Sequence, residues 1–141
     1  MTNKNKIKGT AWENEVVKLL NAPFSEPYWK RIALSGALGS MLGEPLLSSD
    51  VLGRYPFIPF PIQGEAKVGY GGVNMTIRKE WFDKIKQTAD ASYGFPLVLL
   101  KFTKARSGVK AVVAMDLEDW NRLMLHIEKL HGIKNSPESD S

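Results

Sequence analysis

The sequence predicts an α/β domain in which one mixed central sheet is flanked by helices, in the order α-β-β-β-α-β-β-α. Three segments carry apolar residues at helical spacing, and five shorter segments have strand character. Glycine or proline separates most of these segments, as expected for turns. The chain of 141 residues suffices for one domain with an ordinary hydrophobic core, and we find no internal repeat.

The first helix is predicted over residues 10–21. Trp12 and Val16 recur there at helical spacing. Thr10 and Glu13 match a capping box, in which the two side chains satisfy backbone amides at a helix start. This motif predicts that the helix begins near Thr10 and leaves a basic N-terminal arm at residues 1–8.

The other elements follow from the same kind of pattern. A second helix is predicted from Arg78 to about Ser92 with Thr76 as its cap, and Asp116 is predicted to cap a third. The fourth strand is continuously apolar, which predicts burial on both faces. The predicted strands cover residues 28–34, 50–52, 62–68, 97–100 and 109–115. Residues 1–132 are predicted to form the domain, and the polar residues 133–141 a disordered tail.

Composition restricts the chemistry that the chain can perform. There is no cysteine, which excludes disulfides, thiolate zinc sites and cysteine nucleophiles and suits a reducing cytoplasm. The two histidines, His126 and His131, lie together in the last helical segment. A metal site elsewhere in the chain would therefore have to use oxygen ligands.

The charge distribution is uneven. Residues 54–110 contain ten basic and four acidic side chains, whereas residues 116–141 contain six acidic and three basic ones. Binding to a polyanion explains such a basic region, and so does ordinary solvated surface charge. We find no apolar run of membrane-spanning length and no signal peptide, so we expect a cytoplasmic protein of a prokaryote or virus.

The most informative pattern is Asp50 followed by Glu65-Ala66-Lys67. In a strand, Glu65 and Lys67 project from one face while Ala66 points to the other. Two carboxylates can hold a hard cation such as Mg²⁺, and a nearby lysine can stabilise charge on a phosphate. Chance gives about one or two acid-x-Lys triplets in a chain of this composition, so the triplet alone is weak evidence and its significance depends on the other residues of the motif.

Glu13 is the third candidate acid. On a helical wheel it falls within the apolar arc formed by Trp12, Val16 and Leu20. Because an unpaired buried carboxylate is costly, this position needs an explanation. One explanation is the capping box with Thr10. The other is that Glu13 points across to the two strand acids and completes a metal-binding cluster.

These residues together resemble the archaeal-type Holliday junction resolvases. The segment from Lys8 to Glu15 resembles the opening helix of that family. Arg31, Ser35-Gly36, Ser49-Asp50 and Glu65-Ala66-Lys67 follow in the family's order and at similar spacings. The resemblance covers about residues 6–102, which include the strand Pro96 to Phe102, and it is far more specific than the triplet alone.

The resemblance implies a restriction-endonuclease-like fold, a homodimer and Mg²⁺-dependent cleavage of four-way DNA junctions, with Mn²⁺ able to replace Mg²⁺. By carry-over, Glu13, Asp50 and Glu65 would be metal ligands and Lys67 the catalytic cation. Ser35 would approach the scissile phosphate. The side chains expected to contact DNA are Lys6, Lys8, Lys30, Arg31, Ser35, Arg78 and Lys79.

The chain also departs from the family pattern. Ser49 stands where the family often has a proline, and the proline-rich segment 55–61 replaces a plainer hairpin. These differences leave the predicted metal site intact, but the DNA structure that is recognised stays open. A repair or restriction-type nuclease of the same fold, and a catalytically inert DNA-binding module, are the alternatives.

Overall fold

The predicted order of elements is present in the structure, which is a computed structural model. It describes residues 4–32, 46, 48–69 and 72–132, without the side chains of residues 4–7. The described residues form three helices and a five-stranded sheet. The elements are α1 (Lys4–Asn21), β1 (Trp29–Arg31), β2 (Val51–Gly53), β3 (Ile62–Val68), α2 (Lys79–Ala91), β4 (Phe95–Lys101), β5 (Ala111–Ala114) and α3 (Leu117–Leu130).

The sheet is mixed, as the sequence predicts. Its strands lie in the order β1-β2-β3-β4-β5. β3 and β4 are parallel and are joined through α2, whereas all other neighbouring strands are antiparallel. The predicted burial of the fourth strand on both faces is confirmed, because β4 is buried from Phe95 to Leu100.

Each face of the sheet packs against a different helix. On one face, Trp12 and Val16 of α1 join a core that includes Ala66 and Leu99. The indole of Trp12 donates a hydrogen bond to the backbone oxygen of Leu99 (3.0 Å), which ties α1 to β4. On the other face, α2 contributes Ile85 to a smaller cluster. The catalytic candidates on β3 therefore belong to the face covered by α2.

Two glycines allow the strands and their side chains to approach closely near the candidate acids. A Cβ atom at Gly64 would lie 2.7 Å from Val51 Cγ2 and 2.9 Å from Leu99 Cδ1. A Cβ atom at Gly53 would lie 2.5 Å from the ring of Trp29. Contacts this short do not occur between real atoms, so both positions require glycine in this packing.

The start of the first helix was predicted wrongly. α1 begins at Lys4, so Thr10 lies inside the helix and cannot cap it. Lysine is a good helix former, and the helix continues N-terminally through the region expected to be a basic arm. The capping-box explanation for Glu13 is therefore excluded. The cap of α2 was also wrong, since Arg78 and not Thr76 occupies the N-cap position.

The third helix begins as predicted, but its apolar stripe is not buried. The Asp116 side chain accepts a hydrogen bond from the backbone N–H of Glu118, which confirms its role as cap. Trp120, which the sequence predicts to be a core or dimer-contact residue, is 47% exposed and so does not lie in the core of this chain. The other exposed residues of the stripe are Leu117, Ile127 and Leu130.

Candidate active site

Asp50 is held beside Glu65 by the pairing of β2 with β3. Val51 is paired with Gly64 in the antiparallel register, so the preceding residue, Asp50, lies opposite Glu65. The Asp50 backbone N–H donates to Gly64 O (3.0 Å), and the Asp50 side chain accepts from Ala66 N–H through Oδ2 (2.9 Å). The carboxylate is thus fixed to β3 by both backbone and side-chain hydrogen bonds.

Glu65 and Lys67 project from the same face of β3, which confirms the predicted alternation. Lys67 Nζ lies 3.1 Å from Glu65 Oε1, and the side chain of Glu65 is only 8% exposed. Burial raises the pKa of Glu65, and the neighbouring charge of Asp50 raises it further. Lys67 and Lys84 act in the opposite direction but do not restore the usual pKa.

Glu13 reaches the same group of acids from α1. Its Oε1 accepts a hydrogen bond from Arg31 Nε at 2.9 Å. Burial raises the pKa of Glu13, the hydrogen bond from Arg31 opposes this, and the charges of Asp50 and Glu65 raise it again. We call Glu13, Asp50 and Glu65 the acid cluster, because the charges of Asp50 and Glu65 raise the pKa of Glu13 and the charge of Asp50 raises the pKa of Glu65.

The acid cluster does not form a finished metal cage. Within the described residues, no three acidic or histidine side chains converge on a point where they could coordinate one ion. At least one oxygen of each acid already has a partner: Arg31 for Glu13, the Ala66 amide for Asp50 and Lys67 for Glu65. The chemistry of the donors nevertheless fits a hard divalent cation, which prefers carboxylate oxygens.

Two residues of α2 belong to the site although the sequence did not single them out for it. Lys67 Nζ lies 5.4 Å from the centre of the Trp81 ring, where a cation is attracted by the aromatic face. Lys84 is close enough to lower the pKa of Glu65. Trp81 and Lys84 are three residues apart on a helix and so share a face. This three-residue spacing is the sequence signal that could have predicted a common position for Trp81 and Lys84.

The residues expected to contact DNA are differently placed. Arg31 is ion-paired with Glu13, while Lys30 is exposed on the same strand. Arg78 and Lys79, at the start of α2, are exposed and pair with acids of their own helix. Lys8 is partly buried on α1. Ser35 and the side chain of Lys6 lie outside the described residues.

A separate cavity lies between α2 and the beginning of α3. Its volume is about 500 Å³, and Phe82 and Ile85 contribute apolar walls while Asp116 and Asp119 contribute acidic groups. None of the acid-cluster residues lines it. The acid cluster therefore lies outside this cavity.

In the part of the chain that the structure describes, no helix is both long and apolar enough to span a membrane. Comparison of the chain with protein-family models, with curated proteins and with solved structures found no match, so the arrangement of the residues themselves must support any function.

Proposed function

We propose that this protein is a Mg²⁺-dependent, structure-selective DNA endonuclease that resolves four-way junctions by paired nicks. The observation that carries the proposal is the acid cluster, in which three separate elements bring Glu13, Asp50 and Glu65 into one electrostatic neighbourhood. Arg31 and Lys67 lie at hydrogen-bonding distance from two of these acids. The sequence resemblance to junction resolvases supports the same reading and with it a restriction-endonuclease-like fold.

A purely structural role accounts poorly for this cluster. Bringing like charges together in a partly buried place makes their ionised forms less stable, as the raised pKa values of Glu13 and Glu65 indicate. A fold that needed only packing would be more stable with neutral side chains here. A carboxylate must be ionised to bind a cation. A cation-binding role therefore explains why the fold tolerates the cost of placing these charges together.

The roles of the residues follow from the chemistry of phosphodiester hydrolysis. Glu13, Asp50 and Glu65 would hold Mg²⁺, which when bound polarises the phosphate and lowers the pKa of a coordinated water. A water oxygen forms the new bond to phosphorus, and the bond between phosphorus and the leaving sugar oxygen breaks. Lys67, placed between Glu65 and the ring of Trp81, would orient the attacking water and offset charge on the phosphate.

A homodimer would match the substrate, because a four-way junction offers two equivalent strands to two active sites related by a two-fold axis. The exposed apolar stripe of α3 supports an interface of this kind. Leu117 is 72% exposed and Trp120 47% exposed, which is unusual for large apolar residues on one helix face. Ser35 stays a predicted contact to the scissile phosphate.

The test is cleavage of a labelled immobile four-way junction beside linear duplex, single strand and a flap, with Mg²⁺ and with EDTA. Paired nicks confined to the junction and dependent on Mg²⁺ are expected. Equal cleavage of the other substrates would favour a repair or restriction-type nuclease. Binding without cleavage in any metal would favour an inert DNA-binding module.

Asp50→Asn is the matching variant, because the asparagine oxygen can still accept the hydrogen bond from Ala66 N–H. We expect it to bind the junction as the wild type does but to lose cleavage. Full cleavage by this variant would exclude Asp50 from the mechanism.

A further inference from the structure

The ion pair between Arg31 and Glu13 engages a carboxylate that the proposed function assigns to a metal ion. Arg31 belongs to β1 and Glu13 to α1, and Nε and Oε1 are 2.9 Å apart. We propose that Arg31 is an exchangeable counter-ion of the acid cluster, which releases Glu13 when a divalent cation binds and then binds a DNA phosphate. This inference rests on the proposed function, since it concerns the same site.

The charges of the group favour such an exchange. Three carboxylates are balanced by three cations, Arg31, Lys67 and the more distant Lys84, so the group is formally neutral. A divalent cation changes its charge to +2. The guanidinium and the metal would then repel each other in a partly buried place, where charges are weakly screened. A phosphate, with one negative charge, reduces this excess of positive charge when it binds to the displaced arginine.

The contacts of the described residues point in the same direction. No three acids converge on a common point, and the oxygen of Glu13 that could help complete such a set is turned toward Arg31. The ion pair thus engages an oxygen of Glu13 that a metal ion bound by the acid cluster would need. Removal of the guanidinium would leave its carboxylate available to a metal that also contacts Asp50 and Glu65.

Arg31 is also suited to the second half of the exchange. Its side chain is 31% exposed, so a ligand can reach it from solvent. Only Nε bonds to Glu13, and among the described residues the terminal nitrogens of Arg31 have no hydrogen-bond partner. A guanidinium uses such a pair of N–H groups to bind a phosphate through two parallel hydrogen bonds.

The test uses Arg31→Gln, Arg31→Lys and the control Lys30→Gln. Lys30 is the neighbouring residue on β1, is exposed and is on the opposite side of the strand, so its replacement removes the same charge without touching Glu13. Binding of Mn²⁺ to the full chain without DNA is measured by isothermal titration calorimetry. Binding of a non-cleaved junction is measured in Mn²⁺ and in EDTA, and circular dichroism checks folding.

We expect Arg31→Gln to bind Mn²⁺ about three- to tenfold more tightly than both the wild type and Lys30→Gln, since a competing cation is gone. The Mn²⁺-dependent gain in junction affinity should shrink in Arg31→Gln. Arg31→Lys should bind Mn²⁺ like the wild type and recover part of that gain, because it keeps the charge but lacks the planar fork. In a Glu13→Gln background, Arg31→Gln should no longer tighten Mn²⁺ binding.

Equal Mn²⁺ affinity of Arg31→Gln and Lys30→Gln would overturn the exchange while leaving the proposed function intact. If Arg31→Gln does not fold, the pair Glu13→Gln and Arg31→Lys decides. Weaker Mn²⁺ binding by Glu13→Gln, together with a reduced Mn²⁺-dependent junction affinity in Arg31→Lys, supports the exchange, and wild-type values in both contradict it. Absence of millimolar Mn²⁺ binding by the wild type would overturn the proposed function itself, and the exchange with it.

Discussion

Two regions of this molecule contain a buried carboxylate beside a lysine, and their surroundings differ. The side chain of Glu65 is 8% exposed and that of Asp119 is 6% exposed, and burial raises the pKa of both. Around Asp119, Lys86 lies 3.9 Å from one oxygen and Arg122 lies 3.3 Å from the other. Other acids raise the pKa in both regions, Asp116 and Asp90 for Asp119 and Asp50 for Glu65. The regions differ in their cations, since Asp119 lies between two of them, whereas Glu65 has one, Lys67, within 4 Å.

The region around Asp119 has a structural explanation. Asp116 caps α3, and Lys86 of α2 donates a hydrogen bond to its Oδ2 at 2.5 Å. Acids at a helix N-terminus are favoured by the helix dipole, and Lys86 joins α2 to α3 through its ion pairs with Asp116 and Asp119. No residue of the acid cluster lies at a helix terminus. The comparison teaches that burial and a raised pKa do not identify a site until the neighbours of the group are known.

The largest expected difference between the two regions is in cleavage. Glu65→Gln should lower the rate by about 10²–10³-fold or more, because a metal ligand and a fixed charge are lost. The same variant should raise the free energy of unfolding by about 0.5–2 kcal/mol, because a buried charge close to Asp50 is removed. Junction cleavage and thermal unfolding measure the two effects.

Asp119→Asn is the matched control for Glu65→Gln, since it neutralises an equally buried acid outside the cluster. Its cleavage rate should equal that of the wild type. A comparable loss of cleavage in Asp119→Asn would remove the distinction between the two regions.

The next largest effect concerns Lys67. Lys67→Ala should lower cleavage by about 10²-fold, because charge on the phosphate is no longer offset. It should also lower the free energy of unfolding by about 1 kcal/mol, since Glu65 loses a partly exposed counter-ion. In the Glu65→Gln background this loss of stability should disappear, which denaturant titration of the double variant measures. An unchanged loss in that background would show that Lys67 stabilises the fold by other contacts.

The smallest expected effect is on the pH dependence of stability without metal. Burial raises the pKa values of Glu65 and Glu13 above the ordinary glutamate value of 4.5, so the folded state holds their protons more tightly than the unfolded state. Stability should therefore fall as pH rises from 4.5 through the raised values. Thermal unfolding in EDTA should show a shallower fall for Glu65→Gln, and identical slopes for the two proteins would contradict the burial of an ionisable Glu65.

The second region should respond in the opposite sense. The hydrogen bond from Lys86 lowers the pKa of Asp116 below the ordinary aspartate value of 3.8. The stabilisation by this cap is present above pH 3.8 and is lost as pH falls through the lowered value. Asp116→Asn should remove this acid-side loss and leave the decrease above pH 4.5 unchanged, which the same unfolding series can measure.

Much of the fold was predictable because its signals are local. The order of helices and strands, the burial of β4 and the cap at Asp116 all follow from spacing and residue type over a few positions. The predictions fail where the neighbouring sequence overrides a local motif. Thr10 and Glu13 have the residue types of a capping box, but good helix formers precede them and α1 starts at Lys4. The spacing of apolar residues along α3 predicts an apolar face, but it does not decide whether that face is buried in the chain, and Trp120 is 47% exposed.

The sequence by itself determined that Glu65 and Lys67 share a face and that Ala66 turns to the core, because side chains alternate along any strand. Only the tertiary structure decided that Asp50 lies beside Glu65, since this depends on the register between β2 and β3. It also decided that Glu13 bonds to Arg31 instead of capping its own helix. The physical reason is distance along the chain: ladder register and helix docking join residues that no local pattern connects.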